Sequence, residues 1–194
     1  MPSWRVHPVV AALQALRGVP CTGAVITVAA LGDLTRVANP RPLMKFLGLI
    51  PSESSRGARR RQGSITTAGN THARRALVEG AWASRDSTHV SRHLQRRRES
   101  QPKAIQDISW KAHVRRCKRY RRLRARGKHA NPVVVAMAHE LVGFLWAIAQ
   151  QVPVTPESPL TTVMAPITAK VFNGEVAYVP GKRRRPGVVS PSTA

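Results

Sequence analysis

The residues after Asn131-Pro132 constrain the fold more than any other stretch. From Val133 to about Gln150 the chain is apolar nearly all round, interrupted only by His139 and Glu140. A helix of that kind has no face for solvent, so it belongs at the centre of a domain with other helices laid around it. Pro132 suits its first turn, where a missing N–H leaves no bond unmade. His139 and Glu140 then need buried partners. Glu140 reads first as a salt-bridge acceptor for an arginine and only second as a catalytic group. With 194 residues, 42% of them hydrophobic, the chain can bury one modest core. We expect one domain over residues 1–152 and a Pro/Thr/basic tail over 153–194, largely disordered.

The remaining segments read as shorter helices, which makes the expected class all-α. Val9, Val10, Leu13 and Leu16 share one face. Gly18-Val19-Pro20 breaks that helix, and Ala24 to Leu31 continues as another. This is the outline of a helix-hairpin-helix, whose turn offers backbone N–H groups to a phosphate, but Pro20 has none to give; a plain helical hairpin fits as well. Asn39-Pro40-Arg41-Pro42 opens a helix carrying Leu43, Met44 and Leu47, which Gly48 ends. Asn70 or Thr71 can cap another, with Ala73, Leu77, Val78, Ala81 and Trp82 inward. Arg85 to Pro102 is polar and reads as a connection or a phosphate-facing strap without assigned structure. Ile105 to Gly127 forms a very basic helix, with Arg115, Arg116, Lys118, Arg119, Arg121, Arg122, Arg124 and Arg126 around a thin stripe of Ile108, Val114, Cys117 and Leu123. In the tail, Asn173-Gly174 carries the signature of a β-hairpin and Lys182 to Arg185 adds a basic cluster.

Charge narrows the partner. The chain has 32 Lys and Arg against 9 Asp and Glu, a formal net charge of +23. So much like charge repels itself unless it meets an anion. Nucleic acid fits better than a membrane, because Trp110 and Tyr120 interrupt the basic runs and no long apolar anchor stands beside them. No segment reads as long enough in uninterrupted apolar residues to span a bilayer, and the start lacks a signal-peptide core. Cys21 and Cys117 make no disulfide framework. The expected setting is the cytoplasm, at the nucleoid.

Serine, glycine and arginine concentrate between Gly48 and Arg75: Ser52, Ser54 and Ser55, then Arg56, Arg59, Arg60 and Arg61, then Ser64, Thr66, Asn70, Arg74 and Arg75. Hydroxyls can attack or bond a phosphate, glycines let the backbone approach, and guanidiniums grip phosphate oxygens in pairs. Arg74 and Arg75 would sit in the first turn of a helix, where positive charge opposes the macrodipole unless an anion is bound; simple solvation of both is the other reading. The acidic residues include no close pair for a two-metal nuclease site, and there is no P-loop. His89 and His93 have helical ligand spacing without a Cys or carboxylate motif beside them. What remains is a hydroxyl nucleophile among arginines, or a Ser/Gly/Arg turn that only docks phosphate.

Leu31-Gly32-Asp33-Leu34-Thr35-Arg36, Gly48-Leu49-Ile50-Pro51-Ser52-Glu53, Gly63-Ser64-Ile65-Thr66, Gly69-Asn70-Thr71-His72-Ala73-Arg74-Arg75, Trp110-Lys111-Ala112 and Glu140-Leu141-Val142-Gly143-Phe144 resemble, in order and spacing, the C-terminal half of an insertion-sequence transposase of the IS110/IS116/IS902 family. The resemblance covers about residues 9 to 151. It implies a recombinase with an N-terminal RNase-H-like domain whose acidic residues hold magnesium, and a helical C-terminal domain whose serine attacks DNA covalently. It also implies DNA at element ends and target, a guide RNA from the element, and a homo-oligomer in the complete protein. Only the second domain is expected here, as a truncated protein with no cofactor of its own. The family places serine directly before glycine, where this chain has Arg56 before Gly57. Ser55 is therefore the first candidate nucleophile and Ser54 the second, since displacing an attacking oxygen by about 1 Å can cost a hundredfold in rate. The residues expected to contact nucleic acid are Arg56, Arg59, Arg60, Arg61, Thr66, Asn70, Arg74, Arg75, Arg115, Arg119 and Arg122. A non-catalytic nucleic-acid-binding module is the alternative, with a structural RNA-binding protein third.

Overall fold

The computed structural model describes residues 6–56 and 59–152, with the backbone alone at 55, 56, 59 and 60. Among them run seven α-helices: α1 (His7–Leu13), α2 (Cys21–Leu31), α3 (Arg41–Phe46), α4 (Thr71–Ala81), α5 (Arg92–Glu99), α6 (Lys103–Ala125) and α7 (Ala130–Ala149). Between α3 and α4 lie two strands, β1 (Pro51–Arg56) and β2 (Arg59–Ile65), paired antiparallel. The all-α class holds, with this one hairpin as its exception. The hairpin and basic cluster expected in the tail lie outside the described residues.

Helix α7 is the core helix. Nine of its residues, from Val133 to Ala149, are buried. Helices α1, α3, α4 and α6 all pack on it. Leu13, Leu16, Leu47, Leu141, Leu145 and Ile148 are fully enclosed, each contributing about 1.5–3 kcal/mol by leaving water. By length and mean hydropathy α7 could also cross a membrane, contrary to the expectation that no segment is long enough. In this domain half of it lies inside the protein. His139 and Glu140 find the partners that burial demands: His139 Nδ1 meets the Leu49 carbonyl at 3.2 Å, and Glu140 takes two arginines.

Helices α1 and α2 form the expected hairpin, but its turn is used for packing. Gly18 has φ +84°, and a Cβ there would overlap the Gly80 carbonyl; a Cβ on Gly80 would overlap the Gly18 carbonyl in return. Two backbones thus touch where α4 crosses the α1–α2 turn, an approach only glycine permits. The Val19 carbonyl in the same turn accepts from Arg97 at 3.3 Å.

Two segments differ from the sequence reading. Arg85–Pro102 contains a helix, α5, started by Ser91, whose hydroxyl accepts from the Leu94 N–H at 3.3 Å. Arg96, Arg97 and Arg98 in its last turn complement the macrodipole. A single buried anchor, Leu94, fastens it, which is too little periodicity to read from sequence. Helix α6 runs from Lys103 rather than Ile105, and its inward stripe is Ile105, Ser109, Ala112, His113, Arg116, Cys117 and Tyr120. Of the expected stripe only Cys117 is fully buried, while Ile108, Val114 and Leu123 are half-buried.

Candidate nucleic-acid interface

The Ser/Gly/Arg segment expected as a loop is a two-stranded arm. Its strands pair extensively with each other, and with no helix to a comparable extent. Glu53 lies opposite Gln62, Ser54 opposite Arg61, Ser55 opposite Arg60 and Arg56 opposite Arg59, with an irregularity between Pro51 and Glu53. Ser52 Oγ donates to the Ser64 carbonyl at 2.9 Å across the arm, near its base. Ser54 and Arg61 are both exposed.

The base of the arm is anchored to the helical body. Thr66 N–H donates to the Ile50 carbonyl at 2.9 Å and Thr67 N–H to that of Gly48 at 3.3 Å. Gly69, at φ +92°, packs so closely on the Phe46 carbonyl that a side chain would overlap it. Arg74 reaches back from α4 to the carbonyls of Leu47 (3.0 Å) and Ala68 (3.4 Å) and to Thr71 Oγ1 (3.2 Å). Asn70 caps α4, its side-chain oxygen accepting from Ala73 N–H at 2.9 Å. Asn70 and Arg74 therefore fix the arm's exit, and Arg75 is the exposed arginine of that turn. Thr66 is half-buried.

The second basic surface is the outer face of α6. Arg115 Nε and Arg119 Nη1 both donate to Glu140 Oε1, at 3.0 and 2.6 Å. This is the salt-bridge role read first for Glu140. The carboxylate, 9% exposed at its side chain, holds the two guanidiniums along a groove of about 760 Å³ between α6 and α7. Lys111, Lys118 and Arg122 add charge to its walls, while Val114, Phe144 and Trp110 give it an apolar lining. Trp110 is 43% exposed. Arg122 keeps its place on this surface, far in sequence from the arm.

Beneath α6 lies a polar seam that the sequence reading missed. Arg116, expected on the solvated face, is 1% exposed. Its Nη2 donates to the Arg17 carbonyl at 2.7 Å. Burial lowers its pKa to about 10. Arg17 in turn spans the Ser87 and His89 carbonyls (2.6 and 3.1 Å), His113 Nε2 (2.7 Å) and Asp86 (3.1 Å). Since guanidinium only donates, His113 must accept and stay neutral. Burial first, then the cations Arg17, Arg116 and Arg98, pushes its pKa down to about 4. The only sequence signal for this seam was the spacing of Ser109, His113 and Arg116 on the face of Ile105 and Ala112.

Among the described residues, no three His, Cys, Asp or Glu side chains gather to hold an ion. The carboxylates are dispersed: Asp33 accepts from Thr35 and pairs with Arg36, Asp86 pairs with Arg17, Asp107 with Lys103 and Glu140 with α6. These positions do not fit a magnesium site. His89 lies before α5 and His93 within it, so their helical ligand spacing is not realised.

Residues 10–96, which hold the α1–α2 turn, the arm and α4, match the family described as Transposase IS116/IS110/IS902. Those residues carry that family's domain. A transposase-named protein of Sinorhizobium fredii, y4qE, is 43% identical over 151 residues, covering 78% of this chain and 39% of that protein. A protein of Pseudomonas aeruginosa named as a family 20 transposase is 26% identical over 136 residues, covering 70% of this chain and 34% of its own length. This chain thus spans little more than a third of the curated relatives it matches. No solved structure matches it. Both alignments are longer than the 87 residues of the family match, so the likeness to transposases does not stop at α5.

Proposed function

We propose that this chain is the DNA-gripping and serine-bearing part of a transposase, acting in DNA transposition on the ends of an insertion sequence, in the cytoplasm at the nucleoid. The carrying observation is the arm: an extended ladder, paired chiefly within itself, in which Ser54 and Ser55 lie in register with Arg61 and Arg60. A nucleophilic hydroxyl needs cations close by, because attack on phosphorus adds negative charge to oxygens that guanidiniums then hold. In the proposed step the Ser55 oxygen, with Ser54 as substitute, bonds to phosphorus. One P–O ester bond of the strand breaks, and the hydroxyl proton ends on the departing sugar oxygen. The number of phosphodiester bonds is conserved, so the break can be resealed to a new partner without an external energy source.

Arg56, Arg59, Arg60, Arg61 and Arg75 grip backbone phosphate in this reading, and Arg115, Arg119 and Arg122 extend the grip along α6. Magnesium, where the reaction needs it, comes from a separate acidic domain. A homo-oligomer and a guide RNA complete the assembly. The test is a denaturation-resistant protein–DNA product, formed from the chain, element-end DNA, guide RNA and the acidic domain. Loss of that product in Ser55→Ala with DNA binding retained is the expected result. An undiminished product in both Ser55→Ala and Ser54→Ala would remove the serines from the chemistry.

One observation favours a second reading. Arg56, at the position where the resemblance calls for serine, lies opposite Arg59 at the far end of the ladder. Two arginines there suit a module that holds nucleic acid without cutting it. That module predicts tight, salt-dependent binding and no covalent product with any partner added.

A further inference from the structure

We propose that the groove along α6 holds an unpaired segment of nucleic acid, with one of its bases stacked on Trp110. The inference rests on the nucleic-acid reading above but not on the serine chemistry. Trp110 is the one large apolar side chain left exposed among the described residues, at 43%. It is not loose. His113 meets its ring edge-on, with centroids 5.7 Å apart and planes at 87°, and the Arg98 guanidinium lies over one face of the ring, 5.3 Å from its centroid, which leaves the opposite face for a ligand. An indole held in a fixed pose and still open to solvent is a ready platform for a flat ring.

The walls of the groove supply the charge such a ligand carries. Lys111, Arg115, Lys118, Arg119 and Arg122 line it, all on one face of α6 over a rise of about 17 Å. Glu140 pairs with two of them, and it orders Arg115 and Arg119 rather than cancelling the row. A duplex could meet those cations through its phosphates, but its bases are already stacked on one another and offer no free face to an indole. Stacking on Trp110 selects a strand whose bases are unpaired. An acidic peptide would satisfy the cations and leave the indole unused. The polymer that uses both features is single-stranded DNA or RNA.

The experiment measures fluorescence anisotropy of the whole chain with labelled oligothymidylate, oligouridylate of equal length and a duplex of that length. Trp110→Ala is expected to weaken binding to the single strands about tenfold, leaving duplex affinity within about twofold. Trp110→Phe, which keeps a stacking face, is expected to recover most of the loss. The tighter of the two single strands assigns DNA or RNA as the source. Equal losses on duplex and single strand, or no loss on either single strand, would overturn the proposal while leaving the transposase reading intact. Absence of binding to all three would overturn both. If Trp110→Ala does not fold, indole emission decides: greater quenching by oligothymidylate in the wild type than in Trp110→Phe supports the stack, and equal quenching overturns it.

Discussion

The β1–β2 arm and the seam beneath α6 are built from the same side chain and use it in opposite ways. On the arm, Arg61 is solvent-exposed, and the strands touch no helix extensively. In the seam, Arg17 and Arg116 tie the α1–α2 turn to α6 and to the Ser87–His89 backbone, with one carboxylate, Asp86, among their partners. The excess of positive charge is therefore not one population. Some arginines stay in solvent, and others are consumed by carbonyl oxygens as cross-braces between elements far apart in sequence. A guanidinium suits both tasks, since its five donors stay charged and can satisfy several acceptors from one position.

The largest effect should come from the seam. Arg116→Ala removes the donor to the Arg17 carbonyl and leaves a void in a closed interior, so we expect a loss of about 3 kcal/mol in unfolding free energy, read from urea denaturation. A variant that melted like the wild type would erase the distinction between the two arginine populations. Arg116→Met, which fills much of the same space without charge, should lose less.

A second test is pH. His113 is buried as the neutral acceptor of Arg17, with its pKa lowered to about 4 from an ordinary value of 6.5. The unfolded chain therefore takes up a proton first as the pH falls. The stability that His113 contributes is complete above about pH 6.5 and is lost as the pH drops toward about 4, by up to about 1.4 kcal/mol for each unit crossed. Acid denaturation of His113→Gln should show a shallower loss than the wild type across that window. Equal slopes would mean that His113 is not the group that links the seam to protons.

These contrasts also mark what could be read in advance. The core helix was legible because α7 is apolar on every side, and the Asn70 cap because a cap is a local bond spanning three residues. Glu140 was legible as an ion-pair acceptor because a carboxylate inside an apolar helix has few alternatives. Arg116 was not, since its acceptor is 99 residues away and local sequence carries no sign of it. The arm was read as a loop for a related reason. Ser54 and Arg61 face solvent, so the alternation that announces a half-buried strand has no apolar partner to show it. The serines and arginines of the segment were visible as residues, but not the register that brings Ser54 opposite Arg61.

The smallest effect on stability, and the sharpest on binding, belongs to Arg61. Exposed on β2 and opposite Ser54, it makes no brace to the helical body for its loss to break. Arg61→Ala should leave the unfolding free energy within about 0.5 kcal/mol of the wild type. If it neutralises one phosphate, the same substitution should flatten the dependence of log affinity for duplex DNA on log salt concentration by about one unit of slope. The two readouts must separate for the arm to be a ligand surface. A stability loss comparable to that of Arg116→Ala would make the arm another structural brace. An unchanged salt slope would move the phosphate contacts to α6, where Arg122→Ala would then be the variant that changes it.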